Sequence, residues 1–240
     1  MADDLRSSSS RLGALWRGHA FLFDKPPARP AYGEAAGRRL LLIVIGLEAL
    51  RLARARLELA YLPLWLEMVV YLGLAVAAVR VAGVRWSDVG FNRWVNWNAT
   101  EKSYLVQVVI LLNIVFVVLF GDRLRAALAD PSVVWRIFIP YFIFGFYQEV
   151  IYRGMLQTEL VRRWGAVRGI LASNALFTFG PLHYAYFWSG VSVAVPMLAG
   201  IFAIGLVFAM VFHRTANVWI AGTMHAFGNA YAVGTFSAIR

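Results

Sequence analysis

Residues 133–156 read VVWRIFIPYFIFGFYQEVIYRGML, an apolar run that is interrupted by ionisable and amide side chains. A membrane-spanning helix needs about 20 predominantly apolar residues, and this run is long enough. Glu149 and Arg153 are four residues apart, so on a helix they share a face, with the acidic residue first. Because a charge at bilayer depth costs several kcal/mol, the pair is either a neutralising ion pair or part of a functional site.

The rest of the chain has the composition of a membrane protein. Hydrophobic residues make up 60% of the 240 residues and charged residues only 15%, and the mean hydropathy is +0.64. A soluble domain could not bury so much apolar surface. We therefore predict an all-α fold, a polytopic transmembrane helix bundle with six or seven spans. The candidate spans are 57–79, 104–120, 133–156, 169–182, 191–212 and 218–236, with a shorter, charged run at 40–53.

Basic residues lie between the apolar runs and at the N-terminus. The net charge is +10, and residues 1–39 form a polar tail that is rich in Arg and Ser. Lys and Arg in such positions set topology and meet anionic headgroups, so we expect a lipid bilayer and not nucleic acid as partner. We predict a multi-pass integral protein of a bacterial plasma membrane with a cytoplasmic N-terminus. Within it, 40–132 holds N-terminal helices and a loop, and 133–240 holds the functional core.

Two further polar clusters lie in the C-terminal apolar runs. In residues 179–183, Phe-Gly-Pro-Leu-His, the glycine and proline should break a helix just before His183. Irregular backbone at membrane depth is tolerated only in the protein interior or beside water, so His183 can face a wet cavity or lie at the interface. His225 and Asn229 are four apart and share a helix face, as a catalytic pair or as a polar clamp between helices.

A carboxylate, two imidazoles and an amide on separate helices can activate water against a carbonyl group. Glu149, His183 and His225 could also hold a divalent metal such as zinc, although the chain has no His-Glu-x-x-His motif. The chain has no cysteine, which excludes thiolate nucleophiles and thiolate ligands. We expect no cofactor and keep zinc as the alternative.

The three clusters resemble the motifs of the CAAX-protease and bacteriocin-processing family of intramembrane endopeptidases, which includes the type II prenyl-protein proteases. That family is marked by Glu-Glu-x-x-x-Arg, Phe-x-x-x-His and His-x-x-x-Asn, and residues 133–236 carry these motifs in the same order. The resemblance implies a helical bundle with a polar cavity between its C-terminal helices. It also implies hydrolysis, by glutamate-activated water, near the end of a membrane-anchored peptide or protein. By this resemblance the catalytic residues are Gln148, Glu149, His183, His225 and Asn229, supported by Arg153 and Phe179.

The first motif departs from the family at Gln148, where the family has a glutamate. An amide cannot take up a proton near neutral pH. Three explanations stay open: Glu149 is the base while Gln148 orients water, the protein has lost hydrolysis and is a membrane interaction or immunity-type protein, or Gln148 is an engineered, silencing replacement of glutamate. A transporter would repeat its broken helices in both halves, whereas these motifs lie in one half only.

Overall fold

The computed structural model describes residues 31–57 and 62–234, and in these ranges it contains helices and no strand. This confirms the predicted all-α class. Short 3-10 turns at Trp86–Val89, Trp94–Asn96 and Pro181–Trp188 connect the helices. The α-helices are α1 (Glu34–Arg56), α2 (Leu64–Ala82), α3 (Ala99–Leu128), α4 (Ile139–Glu149), α5 (Thr158–Trp164), α6 (Ala166–Phe179), α7 (Val191–Thr215) and α8 (Val218–Gly228).

Contacts between helix ends show how the helices alternate in direction. Near the start of α1, Arg39 donates its Nε–H to the carbonyl oxygen of Ala82, the last residue of α2, at 3.0 Å. Just before α8, the side-chain amide of Asn217 donates to the carboxylate of Glu101 in the first turn of α3, at 3.2 Å. The starts of α1, α3 and α8 therefore lie at one end of the bundle, the N-terminal end.

The opposite end is defined by two aromatic contacts. The guanidinium of Arg56, the last residue of α1, lies 5.0 Å from the ring centre of Tyr184. The indole of Trp65, at the start of α2, donates to the carbonyl oxygen of Trp135 at 2.8 Å. Within residues 31–57 and 62–234, these contacts give seven passes through the bundle, if the continuous segment that contains α4 and α5 counts as one.

Three of the passes have the length and composition of membrane spans: α2, α3 from Glu101 onward, and α7. The helix α6 is apolar but shorter, with 14 residues. The pass through α1 carries Glu48 and Arg51 inside the bundle, and α8 has only 11 residues before its geometry changes. The apolar helices are those of a helical membrane bundle, as predicted.

The first predicted boundaries need correction. The span expected at 57–79 begins only at Leu64, since Pro63 precedes it as N-cap and a proline is well suited to the start of a helix. The short run expected at 40–53 is the middle of a 23-residue helix, α1. It therefore crosses the bundle as a full-length helix, although its charged residues shorten the apolar run in the sequence.

Later boundaries also extend beyond the apolar runs. The span expected at 104–120 lies inside the 30-residue helix α3, whose backbone departs from helical geometry at Phe120 (φ −130°, ψ 16°). Polar residues follow that point, which explains why the apolar run ended there. Of the predicted tail at 1–39, residues 1–30 lie outside the described residues, as do residues 235–236 of the last predicted span.

The described residues contain three π-helical segments; one, Val134–Phe138, precedes α4, and the other two adjoin site candidates. A π-helical segment, Val150–Gln157, directly follows Glu149, and all eight of its residues are buried. A second, Asn229–Val233, directly follows the end of α8. Single π turns are rare and are frequent at functional sites. Both begin beside residues that the sequence selects as site candidates.

Candidate functional site

The site depends on the close approach of α4 to α8 at Gly145. A Cβ atom at this position would lie 2.8 Å from the backbone oxygen of His225 and 2.9 Å from Cα of Ala226. Such distances are closer than van der Waals contact, so only glycine fits here. Because the two backbones touch at Gly145, the side chains of Gln148 and Glu149, about one turn further along α4, lie within reach of α8.

Adjacent residues of α4 contact residues four apart on α8. The carboxylate Oε1 of Glu149 lies 2.8 Å from Nδ1 of His225, and both side chains are buried. The side-chain amide of Asn229 donates to Oε1 of Gln148 at 3.3 Å. The structure therefore brings together four of the five predicted catalytic residues in two pairs.

Arg153 completes the Glu149 pair from inside the bundle. Its Nε lies 3.3 Å from Oε2 of Glu149, and neither side chain is exposed. Its Nη2 donates to Oδ1 of Asn174 at 3.2 Å and to the carbonyl oxygen of Gly205 at 3.0 Å. A buried charge is costly unless it is paired and hydrogen-bonded. Glu149 supplies the opposite charge and Nη2 makes two hydrogen bonds, whereas Nε and Nη1 make none to the residues that the structure describes. Arg153 therefore does not reach the membrane surface.

His183 lies in the predicted helix break. The backbone is extended at Gly180, where α6 ends, and His183 itself has non-helical angles (φ −109°, ψ 19°). Its Nδ1 lies 2.8 Å from the carbonyl oxygen of Phe177. Because a carbonyl oxygen only accepts, this contact places a hydrogen on Nδ1 and leaves Nε2 as the acceptor atom of the neutral ring.

The ring of Phe177 joins the two histidines. Its centre lies 5.2 Å from that of the His183 ring and 5.6 Å from that of the His225 ring, with both imidazoles edge-on. By contrast, the phenylalanine of the family motif, Phe179, is 51% exposed and stacks on Phe202. Residues two apart on a helix point about 200° away from each other, so only one of the two can face the cluster.

The residues suggested for a metal are not arranged as a metal site. In residues 31–57 and 62–234, no three His, Cys, Asp or Glu side chains are grouped closely enough to hold an ion. Glu149 lies directly against His225, whereas His183 reaches that pair only through the ring of Phe177. We therefore derive no step through a metal.

Several side chains around the site are not indicated by any motif. The hydroxyl of Tyr152 donates to the carboxylate of Glu48 at 2.7 Å, and Arg51 pairs with the same oxygen at 2.8 Å. Asn174 and Phe177 are ordinary residues of α6 in the sequence. A spacing of three relates Glu48 to Arg51, but only the fold shows that this pair faces Tyr152, next to Arg153.

The part of the chain that carries the site residues is similar to a known protein family. Residues 130–231 match the family model described as Type II CAAX prenyl endopeptidase Rce1-like. No curated protein and no solved structure matches the chain. The matched segment covers less than half of the 240 residues but includes all seven predicted site residues, from Gln148 to Asn229. Within that segment, it confirms the resemblance drawn from the three motifs.

Proposed function

We propose, from the relationship of residues 130–231 to the CAAX endopeptidase family, that this integral membrane protein hydrolyses a peptide bond in a membrane-tethered protein or peptide. The family match over residues 130–231 and the apolar helices support a membrane protein of the protease class. The substrate class and the roles of individual residues are our proposal. The observation that carries it is the 2.8 Å contact between Glu149 and His225.

The contact assigns different tasks to its two partners. Glu149 is fully buried, with one carboxylate oxygen against His225 and the other beside Arg153, so water does not reach it directly. A carboxylate that accepts from Nδ1–H of an imidazole leaves Nε2 free to take up a proton. A histidine oriented in this way is a well-suited general base. Glu149 therefore acts through His225.

Hydrolysis can then be written without a carboxylate at position 148. A water molecule attacks the scissile carbonyl carbon while Nε2 of His225 takes the water proton. The tetrahedral intermediate collapses as His225 returns that proton to the leaving amine, and the peptide bond breaks. His183, whose Nε2 is also an acceptor, orients the attacking water.

In this mechanism Gln148 is a hydrogen-bond donor and not a base. Its Oε1 accepts from Asn229, which orients the amide of Gln148. The side-chain N–H groups of Gln148 and Asn229 are then donors for the oxyanion that forms on the substrate. Preorganised donors of this kind commonly contribute about 10²- to 10³-fold to the rate.

A second function is favoured by the same pair of amides. Gln148 is only 3% exposed and bonds to Asn229, so the position at which the family has a glutamate holds a neutral pair. A family member without hydrolytic activity would keep this packing and use the bundle to bind a membrane partner. The two functions differ in what Gln148→Glu does.

The deciding experiment expresses the chain, Gln148→Glu, Glu149→Gln and His225→Gln in membranes, and identifies released peptides by mass spectrometry. Under the proposed mechanism the unchanged chain releases peptides, and Glu149→Gln and His225→Gln each slow release per folded molecule by about 10²- to 10⁴-fold. Folded protein is quantified for every variant, because Glu149→Gln leaves the buried Arg153 without its anion. Release only from Gln148→Glu would establish the second function for the unchanged chain. Arg168→Gln, an exposed change in the first turn of α6, is the control for expression.

A further inference from the structure

A concave surface lies at the N-terminal end of the bundle, away from the site. It is a pocket of about 260 Å³ between the loop 92–97 and the first two turns of α3 and α8. Its α8 residues, Trp219 and Thr223, are four apart and share a face. Thr223 and His225 are two apart, so the pocket and the site lie on opposite sides of α8. The lining residues are Asn92, Arg93, Trp94, Trp97, Leu105, Trp219 and Thr223.

The walls of this groove are aromatic and are fixed in place. The indole of Trp97 donates to the carbonyl oxygen of Asn92 at 3.0 Å, and its ring centre lies 4.8 Å from that of Trp94. Trp94 is 54% exposed and Trp219 is 42% exposed. Tryptophan is enriched at the boundary between membrane and water, where one part of its ring is apolar and another is wet.

The groove lies beside the start of the apolar run of α3. That run begins after the charged residues Glu101 and Lys102, and Leu105 lies within its first turn. The loop residues of the groove precede α3, so they lie outside this apolar run. One end of the groove therefore meets the headgroup region and the other meets acyl chains.

Two cations border the headgroup end. The side chain of Arg93 is exposed and makes no hydrogen bond or ion pair with any other residue that the structure describes. The ammonium group of Lys102 lies 5.3 Å from the ring centre of Trp94. The nearest carboxylate in the sequence, Glu101, accepts from the backbone of Asn98 at 2.9 Å and from Asn217 at 3.2 Å. These donors are neutral and Glu101 keeps its charge, so Arg93, Lys102 and Glu101 together carry two positive charges and one negative charge, a net charge of +1.

We propose that this groove is a binding site for one anionic phospholipid. The phosphate lies against Arg93 and Lys102, and an acyl chain lies along Leu105 and Trp219. Basic pockets between membrane helices bind anionic headgroups because local charge adds to the apolar attraction of the chains. The bound lipid holds the loop 92–97 against α8 from the side opposite to His225.

The test compares lipids that differ only in headgroup charge. The purified chain is titrated with phosphatidylglycerol or phosphatidylcholine of identical acyl chains, and bound lipid is counted by native mass spectrometry. We expect a preference for phosphatidylglycerol that weakens about fivefold for each charge removed in Arg93→Gln and Lys102→Gln. Arg93→Lys with Lys102→Arg keeps both charges and should keep the preference.

Arg168→Gln is the matched control, because it removes one exposed charge at the same end of the bundle but outside the groove. An equal loss in Arg168→Gln would mean attraction by the whole surface, and would overturn the proposal. Equal binding of both lipids by the unchanged chain would overturn it too. Displacement of phosphatidylglycerol by a neutral lipid-modified peptide would assign the groove to a substrate anchor instead.

Discussion

Arg153 carries a positive charge at a position that is fully buried, and its partners come from three parts of the chain. Glu149 lies one turn before it, Asn174 lies on α6 and Gly205 lies on α7. Replacement of one member of a buried ion pair leaves the other charge uncompensated, which costs more than the pair itself contributes. Arg153 is therefore a structural residue first, which orients Glu149 toward His225.

At the residue scale, we predict that Arg153→Met lowers the free energy of unfolding by about 3–5 kcal/mol, since it leaves the Glu149 carboxylate buried without a cation. The double variant Glu149→Gln with Arg153→Met removes both charges and should recover part of that loss. The measurement is unfolding in detergent, followed by tryptophan fluorescence. Equal stability of the single and double variants would contradict the pairing.

Packing at the helix scale depends on positions that admit no side chain. A Cβ atom on Gly205 would collide with Oδ1 of Asn174 and would lie 3.1 Å from the ring of Phe177. This glycine lets α7 approach α6 closely enough for its carbonyl oxygen to reach Arg153. Small residues have this role in membrane bundles, where close backbone approach stabilises helix pairs. The same reasoning applies to Gly145 between α4 and α8.

We predict that Gly205→Ala destabilises the protein by about 1–3 kcal/mol, because the added methyl group forces α7 away from α6. Gly200→Ala lies in the same helix with open space around its position, so it should leave stability nearly unchanged. Thermal unfolding of the two variants in the same detergent is the comparison. A similar loss of stability in both variants would contradict the assignment to the crossing, because alanine favours a helix more than glycine does and cannot destabilise it through propensity.

At the N-terminal end of the bundle, a cluster of ion pairs joins α1 to α5. Arg162 and Arg163 lie between Glu159 in α5 and Glu34 at the start of α1, with contacts of 2.5–3.0 Å. Burial alone would raise the pKa of Glu159. The hydrogen bonds from both arginines lower this pKa by more than burial raises it, so the net pKa lies below the ordinary value of 4.5. The cluster joins the first helix to the segment that carries the site.

Because of this cluster, we predict that the folded protein loses stability in acid. A carboxylate whose pKa is lower in the folded state than in the unfolded state stabilises the fold at pH values above its ordinary pKa. That stabilisation is lost as the pH falls through the folded-state pKa. The thermal midpoint of the unchanged chain should therefore drop as the pH is lowered below about 4.5. Glu159→Gln should start lower at neutral pH and show a smaller drop. Parallel curves for the two proteins would contradict the assignment to Glu159.

Charge also differs between the two ends of the molecule. The adjoining ends of α5 and α6, which carry Arg162, Arg163 and Arg168, lie at the N-terminal end, whereas the connection at 180–190 has no Lys or Arg. Basic connections stay on the cytoplasmic side of a membrane. We therefore propose that the N-terminal end faces the cytoplasm.

The absence of native cysteine makes this orientation simple to test. A single cysteine in Ser189→Cys should react with a membrane-impermeant maleimide in intact cells. A single cysteine in Arg168→Cys should react only after the cells are opened. Both positions are exposed in the structure, so the difference reports the membrane side. The reverse pattern would invert the proposed topology.

The sequence by itself determined the class of the protein and the location of its site along the chain. Hydropathy identified a helical membrane bundle, because backbone groups in lipid must bond within their own segment. Residue spacing paired Glu149 with Arg153 and His225 with Asn229, since both pairs lie within one turn of one helix. The glycine and proline before His183 predicted the helix break for the same local reason.

Only the tertiary structure decided which of these residues meet, and through which neighbours. The contacts of Arg153 with Asn174 and Gly205 join residues 21 and 52 positions apart, and the Tyr152–Glu48 bond spans 104. The choice of Phe177 over Phe179 depends on how α6 is rotated against α8. Such contacts are set by where helices cross and how closely their backbones approach, which local sequence patterns do not encode.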